Sequence, residues 1–184
     1  MYLLIFFMLL SVELVLLTYV LIKTRSRTTS IWPPRGNKKI SISVLMVIFY
    51  LIIAGSVWVC IHEWRNPFIQ APWVRYSGLL ITGLGLLLYA WCRIYISKNM
   101  EFGGKDHLIT KGPYEYTRNP LYIADTFIFL GFALISNSLL VMILMIVLVT
   151  TLLLLPFIEE PWLLEQYGEH YKNYMEKVPR YIRI

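Results

Sequence analysis

Two polar stretches in the second half of the chain carry the side chains best suited to chemistry. Residues 107–122 read HLITKGPYEYTRNPLY, and the second stretch covers residues 156–183. The first contains the guanidinium of Arg118 among three tyrosines, and the second holds the adjacent carboxylates Glu159 and Glu160 near its start. A planar guanidinium binds carboxylates through paired hydrogen bonds, and aromatic rings stack on bases or cationic groups. These residue types predict a site for a polar ligand with charged and aromatic parts.

Long apolar segments enclose both stretches. The chain has 184 residues, of which 58% are hydrophobic, whereas soluble domains contain about 45–50%. Runs of about 20 apolar residues are long enough to cross a hydrocarbon core of about 30 Å as helices. We therefore expect an all-α integral membrane protein that forms one structural domain.

About five transmembrane helices are predicted. Residues 2–22, 40–61 and 74–97 form three long spans, and residues 120–135 and 139–155 form the two arms of a short helical hairpin. Each arm has about 16 residues and is slightly short for a full crossing. A cytosolic C-terminal helical tail is expected to follow the hairpin.

The predicted spans and the predicted binding residues divide the chain into two halves. Residues 1–97 hold the first three spans and a basic inner loop, and residues 98–184 hold the ligand-binding loop, the hairpin and the tail. Pro156 is expected to end the second arm of the hairpin because a proline inside a helix removes a hydrogen bond and clashes with the preceding turn.

The basic loop sets the predicted orientation. Residues 23–39 contain six Lys or Arg residues and no acid, and such loops stay on the cytoplasmic side. The N-terminus then lies outside, and the polar loop and the tail lie on the cytoplasmic side. The net charge of +6 fits this orientation and contact with anionic headgroups. No basic stripe with interleaved aromatics lies outside the apolar segments, so nucleic acid is not an expected partner.

Several groups inside the spans are expected to serve packing. Glu13, in the middle of the first span, should face protein because a carboxylate facing lipid is costly. Gly78, Thr82 and Gly85 lie near one face of the third span and permit close helix approach. The two cysteines lie in apolar segments without metal-type spacing, so we expect neither to do chemistry.

Both polar stretches contain motifs in a fixed order. The first is His107-x-Ile109-x-x-Gly112-Pro113-Tyr114 followed by Arg118-Asn119-Pro120-x-Tyr122. The second is Glu159-Glu160, Leu163-Leu164, Tyr167-Gly168-x-x-Tyr171-x-x-Tyr174 and Val178-Pro179-Arg180-Tyr181. Together, over residues 98–184, they resemble the isoprenylcysteine carboxyl methyltransferase family of membrane enzymes. Two separated motifs are more specific than either alone.

The resemblance implies a methyltransferase that uses S-adenosylmethionine and releases S-adenosylhomocysteine. It also implies a cofactor pocket open to the cytosol and an acceptor path open to the bilayer. The expected acceptor is a lipophilic small molecule or a lipidated group, first of all a carboxylate of the prenylcysteine type. Membrane lipids are the other expected partners, and no metal is implied.

The resemblance also assigns the site residues. Arg118 is the catalytic candidate that would orient an acceptor carboxylate, and Glu159 is both a catalytic candidate and the first cofactor ligand. A carboxylate acceptor needs no general base because it is already ionised near neutral pH. The residues expected to bind the cofactor are His107, Leu108, Ile109, Thr110, Tyr114, Asn119, Pro120, Leu121, Tyr122 and Glu159. His170, Tyr171 and Tyr174 are expected to pack the tail helix onto the membrane core.

Two positions depart from the family pattern. Asn119 stands where the family usually has His, so this side chain can hydrogen-bond but cannot titrate near neutral pH. Leu155 stands where eukaryotic members carry Arg, four residues before Glu159. These departures bear on the acceptor, especially a prenylated protein C-terminus, and leave the cofactor assignment intact.

Other interpretations stay open at this point. Arg118 also reads as an inner-face cation, the glutamate pair as first-turn acids of a tail helix, and Tyr114, Tyr116 and Tyr122 as an interfacial aromatic belt. The alternative functions are a phospholipid N-methyltransferase, a nicotinamide-dependent membrane reductase, and a non-catalytic lipid-binding or assembly protein. Binding of S-adenosylmethionine, of NADPH or of neither separates methyltransferase, reductase and non-catalytic protein.

Overall fold

The computed structural model describes residues 1–26, 39–96 and 107–182. Most of the predicted basic loop and the start of the polar loop lie outside these ranges. Within them the ordered elements are helices, and no strand occurs. The α-helices are α1 (Tyr2–Ser26), α2 (Lys39–Glu63), α3 (Trp73–Arg93), α4 (Pro120–Ser136), α5 (Leu139–Tyr167) and α6 (Glu169–Lys177), and a 3₁₀ helix covers Gly112–Glu115.

The membrane class predicted from composition is confirmed. Helices α1, α2, α3 and α5 are long and apolar enough to cross a bilayer, and α4 is a shorter apolar helix of 17 residues. Helices α4 and α5 pack on each other and form the predicted hairpin. The described part of the chain is therefore an all-α membrane bundle with a short helix, α6, after the last span.

The prediction that Pro156 ends the second arm is wrong. Helix α5 runs for 29 residues and passes through both Pro156 and Pro161 before it ends at Tyr167. Membrane helices tolerate proline where neighbouring groups satisfy the freed backbone. Pro156 has no N–H for the carbonyl one turn earlier, and the Tyr181 hydroxyl donates to the adjacent Leu153 carbonyl. The bond from Tyr181 therefore lies one residue away from the carbonyl that Pro156 leaves without its helical donor.

Small residues bring α3 and α4 into close contact, as predicted. A Cβ atom built on Gly78 would lie 2.6 Å from the backbone nitrogen of Ile135, and one on Gly85 would lie 2.8 Å from that of Ile128. Gly131 of α4 faces Thr82 at a similarly short distance. Any side chain at these positions would push the two backbones apart.

The apolar core lies between α1, α2 and α5. Ile52 and Leu144 are fully buried there, and Phe6 joins them from α1. Glu13 is also buried in the protein, with 2% of its surface exposed, which confirms that it does not face lipid. Neither of its carboxyl oxygens has a hydrogen-bond partner among the described residues.

One end of the bundle is fastened by the hairpin turn. Asn137 adopts a left-handed conformation with φ 49° and ends α4. Its side-chain amide donates to the Ile69 carbonyl at 2.7 Å, and its side-chain oxygen accepts from the Ile69 N–H at 3.0 Å. The Phe68 N–H donates to the Asn137 carbonyl at 2.7 Å. The α2–α3 loop and the hairpin turn therefore share one end of the molecule, and the polar loop and the tail share the other.

Candidate functional site

The contact predicted between the two polar stretches is confirmed. The Arg118 N–H donates to the Pro179 carbonyl at 2.9 Å. The Thr117 hydroxyl and the Asn119 side-chain amide both donate to the Arg180 carbonyl, at 2.9 Å and 3.0 Å. These bonds hold the chain after α6 against the residues that lead into α4. The site is therefore built where the polar loop, the end of α5 and the tail meet.

A tyrosine and a carboxylate form the first element of this site. The Tyr122 hydroxyl donates to Oε1 of Glu159 at 2.6 Å. Tyr122 lies in the first turn of α4, and Glu159 lies in the last third of α5, so the bond joins the two arms of the hairpin. The described residues give the second carboxylate oxygen of Glu159 no hydrogen bond. The pair can therefore bind a donor group of a ligand.

The neighbouring glutamate is engaged by two arginines. Oε1 of Glu160 accepts from Nη2 of Arg118 at 2.8 Å and from Nε of Arg180 at 2.9 Å, and Oε2 pairs with Nη2 of Arg180. Nη1 of Arg118 donates to the Met175 carbonyl at 3.0 Å. The side chains of Arg118 and Glu160 are only 8% and 6% exposed. The guanidinium predicted to orient an acceptor carboxylate is therefore paired with a carboxylate of the protein.

Arg180 was not among the residues predicted for the site. Its guanidinium lies 3.9 Å from the centre of the Phe157 ring, and its hydrogen bond with Glu160 raises its pKa above the ordinary value. The motif Val178-Pro179-Arg180-Tyr181 was the available sequence signal. Spacing alone did not show that Arg180 and Arg118 meet on one carboxylate, because they are far apart in the chain.

A cavity of about 490 Å³ borders the predicted cofactor run 107–110. Leu108 and Thr110 line it from the run, Gln166 and Tyr167 line it from the end of α5, and His170 lines it from α6. Volumes of about 300–1,000 Å³ are typical of small-molecule sites. His170 is exposed there, so the prediction that it packs the tail helix is wrong.

The other predicted residues occupy different positions around this region. Ile109 is buried and His107 is exposed, and Pro120 and Leu121 begin α4. The predicted packing of the tail by tyrosines is confirmed, because Tyr171 and Tyr174 are buried in a small apolar cluster that also includes Leu108 and Leu163.

The phenols of this region lie in different environments. Tyr174 donates to the Tyr114 carbonyl at 2.6 Å. Burial raises the pKa of the Tyr114, Tyr171 and Tyr174 hydroxyls well above the ordinary value, and it raises the pKa of Tyr181 to about 12. Tyr116, in contrast, is 70% exposed. These raised pKa values keep the phenols neutral, and the Tyr174 and Tyr181 hydroxyls act as hydrogen-bond donors.

The fold and the site together define a class of protein. It is a small helical membrane protein whose polar site joins the loop before a hairpin to the end of its second arm and to the tail. Residues 73–170, more than half of the chain, match the family model described as phospholipid methyltransferase. The chain belongs to the phospholipid methyltransferase family. This match does not by itself confirm the narrower resemblance to isoprenylcysteine carboxyl methyltransferases.

Two curated proteins are similar to the chain at low identity. Steroid 5-alpha-reductase DET2 of Solanum lycopersicum is 28% identical over 153 residues, which cover 82% of this chain and 57% of the reductase. Cobalt-zinc-cadmium resistance protein CzcN of Cupriavidus metallidurans is 31% identical over 97 residues, which cover 52% of this chain and 39% of that protein. The chain thus spans about half the length of these relatives. No solved structure matches it.

Proposed function

We propose that this protein transfers a methyl group from S-adenosylmethionine to a membrane-borne, lipid-like acceptor. The observation that carries the proposal is the Tyr122–Glu159 pair, at 2.6 Å, where the polar loop, the hairpin and the tail converge. Membership of the phospholipid methyltransferase family supports the reaction class. The cofactor supplies a methyl group on a cationic sulfonium, and methyl transfer is an in-line displacement that requires accurate alignment and exclusion of water.

The residues present fit this cofactor. Glu159 has one carboxylate oxygen without a hydrogen bond from the described residues, which suits the amino group of the methionine part. Glu159, Leu163 and Gln166 recur at intervals of three or four residues within α5, so they follow one side of this helix from the pair toward the cavity that Gln166 lines. Seven residues of helix cover about 10 Å. The site therefore offers a carboxylate at one end and a cavity bordered by residues 107–110 at the other.

In this proposal the chain acts by binding and orientation. Tyr122 fixes one oxygen of Glu159 and so directs the other toward the ligand. The run 107–110 offers backbone groups to the adenine edge, and Tyr114 and Leu108 shield that side from water. A lipid-like acceptor would enter along the hairpin, whose first arm carries Tyr122. We place this site and the C-terminus on the cytoplasmic side.

Because of its ion pair, a substitution of Arg118 cannot be used to identify the acceptor. Because Arg118 is paired with Glu160, its replacement would disturb the site for any acceptor and would not distinguish a carboxylate from an amine. A prenylcysteine-type carboxylate needs no general base. A phospholipid amine is the second candidate, favoured by the family match. The two are separated by offering each acceptor in vesicles with labelled S-adenosylmethionine and extracting the labelled lipid product.

Cofactor binding is the first test. Calorimetric titration of the detergent-purified protein with S-adenosylhomocysteine should show saturable binding. The change Glu159→Ala should weaken it about tenfold or more, since one charge-assisted hydrogen bond contributes about 1.5–3 kcal/mol. Glu169→Ala is the matched control, because Glu169 is an exposed acid on α6.

NADPH is the competing ligand in the same experiment. A reductase is the alternative that the DET2 similarity favours. Saturable NADPH binding without S-adenosylhomocysteine binding would overturn the methyltransferase proposal in favour of a reductase. Binding of neither ligand by folded protein would favour a non-catalytic role.

A further inference from the structure

The two adjacent glutamates of α5 have different partners. Glu159 accepts a hydrogen bond from Tyr122 of α4, whereas Glu160 faces Arg118 and Arg180. Consecutive residues of a helix point in different directions. Because of this geometry, Glu159 and Glu160 can have different roles although their side chains are identical.

Glu160 has little capacity left for a ligand. Both of its oxygens are engaged, and three guanidinium nitrogens from Arg118 and Arg180 surround the carboxylate. Its side chain is 6% exposed. A ligand amino group would have to displace an arginine to reach it, and removing one partner of a buried ion pair leaves an uncompensated charge.

The same three residues connect three parts of the chain. Glu160 belongs to α5, Arg118 belongs to the loop before α4, and Arg180 belongs to the tail after α6. Arg118 also bonds the carbonyls of Met175 and Pro179. The ion pairs therefore close the tail over the loop that carries Asn119 and leads to Tyr122.

We propose that Glu160 is a positioning residue, which clasps the tail to the polar loop through Arg118 and Arg180 and leaves Glu159 as the carboxylate that meets the cofactor. The role of Glu159 rests on the proposed function. The clasp of Glu160, Arg118 and Arg180 does not, because it concerns the chain alone. Arg118 is then also a positioning residue.

Protease access tests the clasp without any cofactor. Tyr171 and Tyr174 are chymotrypsin sites that are 2% and 7% exposed, so cleavage there requires release of the tail. Glu160→Gln and Arg180→Gln should speed cleavage after these tyrosines about tenfold or more, as expected when a buried ion pair is broken. Glu159→Gln should leave the cleavage rate within about twofold of the unmodified protein, because its bond is made to α4. Glu169→Gln is the exposed control.

Arg180→Gln keeps the test valid if Glu160→Gln fails to fold. Arg180 is more exposed than its partners, with a side chain that is 30% exposed, so its replacement is the mildest way to open the clasp. Arg180→Lys keeps the positive charge but loses the paired hydrogen bonds of the planar guanidinium. It should therefore restore part of the protection against chymotrypsin that Arg180→Gln loses. If Glu160→Gln and Arg180→Gln are both as resistant as the unmodified protein, the clasp is refuted.

A double-mutant cycle with S-adenosylhomocysteine tests the division of roles. The factor by which Glu160→Gln weakens binding should be at least about threefold smaller in the Arg180→Gln background than in the unmodified protein, because the two residues act as one unit. The loss caused by Glu159→Gln should stay the same in that background. Additive losses for Glu160 and Arg180 would show that Glu160 meets the ligand directly and would overturn the proposal.

The two proposals fail in distinguishable ways. If the unmodified protein binds no S-adenosylhomocysteine, the proposed function and the role of Glu159 are overturned. The cleavage rates still decide whether Glu160 holds the tail. If the protein binds the ligand but the clasp variants show no change in cleavage, only the present inference is overturned.

Discussion

Tyr122 and Glu159 lie 37 residues apart in the chain, in different arms of the helical hairpin, yet their side chains meet at 2.6 Å. A hydrogen bond to a carboxylate is about twice as strong as one between neutral groups. Tyr122 therefore holds Glu159 in one orientation before a ligand arrives. This preorganisation reduces the cost of ordering the site on binding.

Loss of the Tyr122 hydroxyl should weaken cofactor binding moderately. Tyr122→Phe keeps the ring and removes the hydrogen bond, so we expect S-adenosylhomocysteine to bind about 3- to 30-fold more weakly, equivalent to about 0.7–2 kcal/mol. Calorimetric titration gives the value. Tyr116→Phe is the matched control, since Tyr116 is 70% exposed, and it should change nothing. Unchanged affinity for Tyr122→Phe would remove the support for this pair as the cofactor end of the site.

The half-buried phenol of Tyr181 predicts a loss of stability in alkali. Burial raises its pKa from 10.0 to about 12, so the folded state favours the neutral form. Its contribution is fully present below pH 10.0 and is lost as the pH rises through about 12. The unfolding midpoint in detergent should fall over this interval, and the fall should be smaller in Tyr181→Phe. Tyr116→Phe should follow the unmodified protein, and an identical fall in Tyr181→Phe would contradict the prediction.

At the scale of single residues, sequence predicted which groups gather but not which groups pair. The motifs indicated Tyr122 and Glu159, and these side chains do meet. Arg118 was expected to face a ligand, but it pairs with Glu160, because a buried guanidinium requires a carboxylate partner. Pairing of this kind depends on how α5 packs against the loop, because Glu160 lies 42 residues after Arg118 in the chain, and local spacing does not encode it.

At the scale of helices, the α3–α4 contact depends on glycines, which have no side chain to separate the two backbones. Gly78→Ala would place a Cβ 2.6 Å from a backbone nitrogen of α4. We expect this change to lower the free energy of unfolding by about 1–3 kcal/mol, as is typical when a packed interface receives an extra methyl group. Thermal unfolding in detergent would measure it.

The same helix provides a matched control. A Cβ on Gly83 would meet nothing within 4 Å, and Ala is favoured over Gly in a helix by about 1 kcal/mol. Gly83→Ala should therefore leave the unfolding midpoint unchanged or raise it slightly. Equal destabilisation by Gly78→Ala and Gly83→Ala would show that helix propensity or lipid contact, and not the α3–α4 approach, controls stability here.

The position and type of the helices were largely predictable, and the end of α5 was not. Apolar length gave the spans, and Gly78 and Gly85 indicated the packed face of α3. Pro156 predicted a helix end because local rules treat a proline inside a helix as a break. Helix α5 nevertheless continues through Pro156 and Pro161, and the hydroxyl of Tyr181, which reaches the neighbouring Leu153 carbonyl from the tail, could not be predicted from a local pattern.

At the scale of the whole molecule, the two ends of the bundle contain different groups. Tyr2 stacks on His62 with ring centroids 5.8 Å apart, and Asn137 bonds Ile69, so these elements share one end. The polar loop and the tail share the opposite end. The two ends would lie on opposite sides of a membrane crossed by α1, α2, α3 and α5, and the basic residues near the end of α1 predict which side is cytoplasmic.

Cysteine labelling in intact cells should reveal this orientation. Asn66→Cys in the α2–α3 loop and Lys172→Cys on α6 introduce thiols at exposed positions, while the native Cys60 and Cys92 are buried. A membrane-impermeant maleimide should label Asn66→Cys from outside and should label Lys172→Cys only after the cells are opened. The unmodified protein is the background control. Labelling of Lys172→Cys in intact cells would place the polar site outside.

Besides the ion pair of Arg180 with Glu160, the polar loop binds main-chain oxygens of α6 and the tail. The carbonyls of Met175, Pro179 and Arg180 accept hydrogen bonds from Arg118, Thr117 and Asn119. Every residue type offers the same carbonyl, so these hydrogen bonds do not depend on which side chains occupy these positions. Substitutions that keep the backbone path should be tolerated at Met175. The main-chain part of the docking can thus persist while the sequence of the tail diverges, whereas the part that depends on the Arg180 side chain cannot.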